Sequence, residues 1–142
     1  MKKLLRDRSG GLSVIFIGLV FFLLVAAFLV METGAAFERY YAAETILQRS
    51  CNSAVEANIQ DEYRADNILR LDVPGAMDDF CGFIASDMPD GYAVTITSIE
   101  GTESPPSLTV TGTITFSTLF KQYGFDDLTI DFTVKATNYR VI

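Results

Sequence analysis

Histidine and tryptophan are absent from this 142-residue sequence, and cysteine occurs only at Cys51 and Cys81. Histidine is the usual proton shuttle and metal ligand near neutral pH. Its absence removes ordinary Ser-His and Cys-His catalytic arrangements and most zinc sites. Ser50, Ser53 and Thr33 have no base in reach on a helical reading, and no Gly-rich loop of the phosphate-cradling kind is present. The expectation is a protein that is not an enzyme and uses no cofactor. Positive charge is scarce too, with 11 Lys and Arg against 18 Asp and Glu. Without Met1 to Met31 the balance is 7 against 17, a net charge of −10. The remaining cations, Arg39, Arg49, Arg64, Arg70, Lys121, Lys135 and Arg140, are scattered, which argues against a nucleic-acid partner. Solubility and mutual repulsion are the simplest account of the acidity.

What the chain has in quantity is apolar. Gly11 to Met31 reads GLSVIFIGLVFFLLVAAFLVM and carries no ionisable side chain. At about 1.5 Å per residue it makes a helix roughly 30 Å long, the hydrocarbon thickness of a bilayer. A transmembrane helix over 11–31 is therefore expected. Residues 1–10 form a basic leader in which Lys2, Lys3, Arg6 and Arg8 outweigh Asp7, so the positive-inside bias puts the N-terminus in the cytoplasm and the rest of the chain outside. The alternative is a cleaved secretory signal, but its apolar region is usually about 7 to 15 residues long. Gly34, Ala35 and Ala36 supply small residues beyond the run, but Glu32 and the unbroken helical pattern favour a retained anchor.

Beyond the span, residues 32–71 contain no proline and a single glycine, Gly34, and are expected to continue as an amphipathic stalk helix outside the membrane. Leu47, Cys51, Val55, Ile59 and Tyr63 recur every four residues, with Ala54 between them, as one apolar stripe. Asp66 with Arg70, and Asp61 with Arg64, have the spacing of solvated helix pairs. Gly34 is either a hinge or, with Ala35 and Ala36, a place where another helix approaches closely. Glu32 and Glu38, flanking it, are candidate contacts to a neighbouring subunit, with simple hydration as the alternative.

Pro74-Gly75 breaks the pattern and opens a head over 72–142. In 76–88, Met77, Phe80, Cys81 and Ile84 follow helical spacing, and Pro89-Asp90-Gly91 closes the helix. From Tyr92 the period becomes two. Leu108, Val110, Gly112, Ile114 and Phe116 share one face of a strand, and Thr109, Thr111, Thr113 and Thr115 the other. Leu128, Ile130, Phe132, Val134 and Ala136 repeat the alternation, and Tyr92 to Glu100 is a weaker first strand. Short connections favour an antiparallel meander of about three strands, so the fold class expected is α+β, with the sheet on the helical stripe.

A basic leader, a glycine, an apolar helix running into a stalk and a C-terminal antiparallel sheet together resemble the type IV pilin architecture. Within it, Arg6-Asp7-Arg8-Ser9-Gly10-Gly11-Leu12-Ser13-Val14-Ile15-Phe16 resembles the opening of the TadE/TadG-like pseudopilins of Tad (Flp) pilus systems, over about the first 40 residues. The resemblance implies a single-pass protein of the bacterial cytoplasmic membrane whose partners are the bilayer, other pseudopilins or pilus-assembly proteins, and a prepilin peptidase cutting between Gly10 and Gly11. Ile15 stands where the family has a glutamate five residues after the cut. In the family that acid is thought to neutralise the new N-terminal amine of a neighbour within the membrane. The expected role is thus a minor pseudopilin or assembly component, cleaved without efficient self-polymerisation. The alternative is a membrane-tethered extracellular binding or sensor module outside any filament.

An oxidising exterior favours a disulfide between Cys51 and Cys81; closing that 30-residue separation would restrain the unfolded chain by roughly 3 to 4 kcal/mol. Two small buried thiols kept apart by packing are the alternative. Asp126, Asp127 and Asp131, or Asp87 and Asp90, are oxygen ligands of the kind calcium takes, but their spacing matches no calcium loop and solvated carboxylates explain them better.

Overall fold

A computed structural model describes residues 8–60 and 68–138. Helix α1 (Arg8–Ala57) is followed by helix α2 (Val73–Asp87) and strands β1 (Tyr92–Thr102), β2 (Ser107–Phe116) and β3 (Leu128–Thr137), with a 3-10 turn (Leu119–Tyr123) between β2 and β3. A long apolar helix, a short helix and a three-stranded antiparallel sheet in the order β1-β2-β3 make the α+β class expected of the sequence. The chain divides into two compact units between Phe37 and Glu38.

In the first unit every large apolar side chain from Leu12 to Met31 is at least 38% exposed, Phe28 being the least exposed and Met31, at 75%, the most. A helix apolar on all sides has no polar face to give to water. By length and composition α1 is able to cross a membrane.

The second unit begins with the last turns of α1, where burial is confined to one side: Ala43, Leu47, Ser50, Cys51, Ala54 and Val55 are buried at helical spacing. They lie on the sheet face formed by Leu108, Val110, Ile114 and Phe116 of β2 and Phe132, Val134 and Ala136 of β3, all buried. The packing is pinned by donors on α1 that reach backbone carbonyls: Gln48 Nε2 donates to Lys135 O of β3 at 2.9 Å and Arg39 Nη1 to Ser117 O, just past β2, at 2.7 Å. The threonines take the other face, where Thr115 and Thr129 hydroxyls meet at 2.9 Å across the strands.

Strand β1 reads weakly in the sequence for a physical reason. Its register shifts between Ile96 and Ser98, so that Val94 pairs with Ile114 and Ile96 with Gly112, but Ile99 with Val110. The bulge absorbs one residue and returns Ile99 to the face of Val94 and Ile96, which a strict two-residue alternation forbids. Gly112 lies where backbone comes close. A Cβ there would strike Thr95 O and stand 3.0 Å from Ile96 Cα.

The helix expected over 32–71 ends instead at Ala57. Asn58 Nδ2 donates to Ala54 O at 2.9 Å and to Asp79 Oδ2 at 2.7 Å, which ties the helix end to α2. Ile59 then forms an isolated antiparallel bridge with Leu71, supported by Gln60 N donating to Arg70 O at 2.9 Å and Asp72 N to Asn58 O at 3.0 Å. Leu71 is 2% exposed in this arrangement, so tertiary burial overrides a local sequence with no helix breaker. Tyr63 and the pair partners Asp61, Arg64 and Asp66 lie outside the described residues; Arg70 pairs with Glu103 across the sheet end.

Helix α2 starts earlier than the expected Ala76. Asp72 is its N-cap, accepting from Gly75 N at 3.4 Å, and Pro74 sits in the first turn, where its missing N–H costs nothing. The Pro-Gly pair is part of the helix rather than the break before it. Ala76, Phe80 and Ile84 are its buried residues.

Candidate functional site

Two features stand out from the ordinary packing: the exposed apolar length of α1 and the residues around the point where it enters the second unit. Gly10 and Gly11, the candidate processing pair, are helical and exposed at the start of α1, with open space where a side chain would stand. Glu32, the first ionisable residue after the apolar run, is buried, whereas Gly34 and Glu38 are exposed. The Thr33 hydroxyl donates to Leu29 O at 2.8 Å, a bond within the helix.

The expected disulfide is absent: Cys51 and Cys81 are both free thiols. Cys51 is fully buried under the sheet, its Sγ 3.5 Å from Leu108 O. Loss of water pushes its pKa up to about 11, while a backbone hydrogen bond from Ala136, the cross-strand partner of Leu108, pulls the other way. Cys81 is exposed. Helical spacing fits it to the apolar side of α2, but that side is defined by Ala76, Phe80 and Ile84. One residue past Phe80 is about 100° further round the helix, which leaves the Cys81 thiol on the rim.

The acidic candidates are also separated. Asp87 pairs with Arg49 at 3.0 Å and Asp127 with Lys121 at 2.8 Å, while Asp90, Asp126 and Asp131 are exposed. Among the described residues no three His, Cys, Asp or Glu side chains come together in a group able to hold a metal. Ser50 is buried, and among the described residues its Oγ has no hydrogen-bond partner; Ser53 is exposed.

The β2–β3 connection carries no recognised motif, yet its side chains are unusual for a loop. There Leu119, Tyr123 and Phe125 are exposed although large and apolar. The available signal was the run Leu-Phe-Lys-Gln-Tyr-Gly-Phe over 119–125, too rich in aromatics for a simple solvated loop. Next to it stands Arg39, whose guanidinium closes on Ser117 O.

No protein-family model, curated protein or solved structure significantly matches this chain.

Proposed function

We propose that the protein is a membrane-anchored minor pseudopilin, or an assembly component of a Tad-like pilus or related secretion machine, held by α1 in the cytoplasmic membrane with its N-terminus inside and the second unit outside. The observation that carries this reading is that one helix, α1, is exposed and apolar over Leu12–Met31 and becomes part of a small α+β unit over its last turns. In such a build the span stores the subunit in the bilayer and packs against other spans, and the outer unit joins or caps an assembly. The role is structural: the residues singled out for chemistry are dispersed or engaged in packing.

Ile15 favours a second reading, a tethered binding module outside any filament, because it removes the acid that would draw a cleaved amine into contact with a neighbour. Both readings place the second unit outside and part at the filament. Co-expression with a Tad-type peptidase, N-terminal sequencing and electron microscopy of sheared material separate them. Cleavage after Gly10 and incorporation into filaments built mainly of another subunit are expected. An intact Met1 end removes the processing claim, and absence from every filament leaves the tethered module.

A further inference from the structure

Helix α2 lies along strand β1 and crowds it at one end. At Gly101 a Cβ would strike the Val73 side chain, whereas towards the 89–91 connection helix and strand leave a groove of about 440 Å³ between them. Cys81, Ala85 and Met88 form its helical wall, and Tyr92, Val94 and Ile96, all half-buried, form the other. Beside the groove runs a free edge of the sheet, since among the described residues β1 pairs with β2 alone. A free edge leaves every second backbone N–H and C=O open to a further strand, and charged side chains are a common guard against that. The other edge, β3, carries Asp131 and Lys135, but β1 has no charged side chain over 92–99. The bulge after Ile96 sets the length of the open edge. Residues 92–96 pair without interruption with 112–116, and this is the straight run that a further strand can extend.

Charge around the groove decides what kind of strand fits it. Residues 72–106, which build α2 and β1, contain no Lys or Arg. Among their acids, Asp87 is neutralised by Arg49 and Glu103 by Arg70, cations brought from outside the stretch. Asp90 lines the groove at its open end, and Asp78 stands one turn before Cys81 on the same side of α2. Both carboxylates are exposed, and neither has an ion-pair partner among the described residues. A second copy of this chain would bring the same acids to the groove and be repelled. We propose that the groove and its edge take up an extended segment of another protein, alternately apolar along its length and basic at its ends, as a strand added beside β1. Backbone hydrogen bonds to the edge hold the segment, the groove receives its apolar side chains, and Asp78 and Asp90 meet its basic ends. Every residue of the groove belongs to the second unit, so the contact needs nothing from the apolar run of α1 and is open to a filament component and a tethered module alike.

The probe is a fluorescein-labelled peptide, Lys-Val-Thr-Val-Thr-Val-Lys, titrated with the full-length protein in neutral phosphatidylcholine nanodiscs, with empty nanodiscs as the blank. Fluorescence polarisation is expected to show saturable binding. Ala85→Gln extends a neutral side chain over the groove from an exposed helical position and is expected to weaken binding at least about tenfold, while Thr133→Gln on β3 leaves it unchanged. Replacing both lysines of the peptide by glutamate is also expected to weaken binding at least about tenfold, and Asp90→Asn to reduce that preference. Backbone methylation decides the mode. With the valine N–H groups methylated in one peptide and the threonine N–H groups in another, an added strand retains one and loses the other, because only alternate residues face the edge. Retention or loss of both overturns the added strand, as does undiminished binding to Ala85→Gln. Equal binding of the glutamate peptide overturns the basic partner, and no binding up to millimolar protein overturns the site. Self-association of the full chain in detergent that Ala85→Gln abolishes, read by sedimentation, would give the groove to a second copy and overturn the choice of occupant.

Discussion

Leu12–Met31 and Ala43–Val55 are stretches of one helix, both free of proline, and they meet opposite fates. Along the first, every large apolar side chain is exposed; along the second, the apolar positions are buried except the half-buried Ile46, and the charged and polar ones other than Ser50 are left at least partly exposed. Helix propensity does not separate them. The difference lies in how much of the circumference is apolar. One stripe can be covered by a three-stranded sheet of this chain, whereas an apolar surface on all sides needs a partner or solvent that the chain does not supply. Fold and function are divided along the same line: the second stretch is explained by its own sheet, and the first is explained by what surrounds the protein.

The sharpest way to break this comparison uses the same residue type in both regions. Phe80 is fully buried, and Phe21 is 68% exposed. Phe80→Ala removes a ring from a closed core and is expected to cost about 3–5 kcal/mol. Phe21→Ala is expected to change unfolding of the second unit by no more than about 0.5 kcal/mol. Denaturant unfolding in detergent, followed by far-ultraviolet dichroism of the sheet, measures both. Equal effects would mean that the apolar run of α1 is part of the folding core.

Glycines sharpen the contrast at smaller cost. Gly112 faces the backbone of β1, so Gly112→Ala is expected to force the strands apart and destabilise by about 1–3 kcal/mol. Gly34 has open space where a Cβ would stand in an exposed helical turn, so Gly34→Ala is expected to raise helix stability by up to about 1 kcal/mol. Thermal melts of the two variants should move in opposite directions. A loss of filament or partner association in Gly34→Ala without loss of stability would favour close helix approach over a hinge.

Much of the second unit was legible because its sheet obeys a simple rule. The alternation from Ser107 to Phe116 and from Leu128 to Ala136 marked two strands and their buried faces, and four-residue spacing marked Leu47, Cys51 and Val55. The rest depended on contacts between residues far apart in sequence. Nothing near Ala57 announces a helix end, since the bridge from Ile59 to Leu71 is rewarded only once Leu71 is covered. Helical spacing admitted Cys81 to the apolar side of α2, but only packing decides how wide that side is. The bulge in β1 hid its alternation.

A further small effect is expected at Ser50, where a buried hydroxyl lacks a partner among the described residues. Removing it leaves no polar atom to desolvate and improves helix propensity, so Ser50→Ala should stabilise the unit by about 1 kcal/mol, read as a higher denaturation midpoint with an unchanged slope. A destabilised variant would show that the hydroxyl is held by a bound water.

The two cysteines carry the comparison down to single atoms, and at neutral pH titration of the buried thiol is expected to leave stability unchanged while the two thiols differ widely in reactivity. The thiolate is the species that alkylates, and burial holds Cys51 in its neutral form with a pKa near 11, against 9.0 for an ordinary thiol. Because the folded pKa is the higher one, the associated stability is fully present below pH 9, declines as pH rises past it, and is lost by the time pH has passed about 11. At pH 7.5 native protein should therefore take up one maleimide, at the exposed Cys81, and a second only on unfolding, with peptide mass spectrometry assigning the sites. Cys51→Ala should lose some stability at neutral pH by opening a small void, yet show a shallower decline between pH 9 and 11 than the parent chain. Rapid double labelling of the native protein would mean that α1 lifts from the sheet far more often than a closed core permits. No label at all would restore the disulfide that the structure excludes.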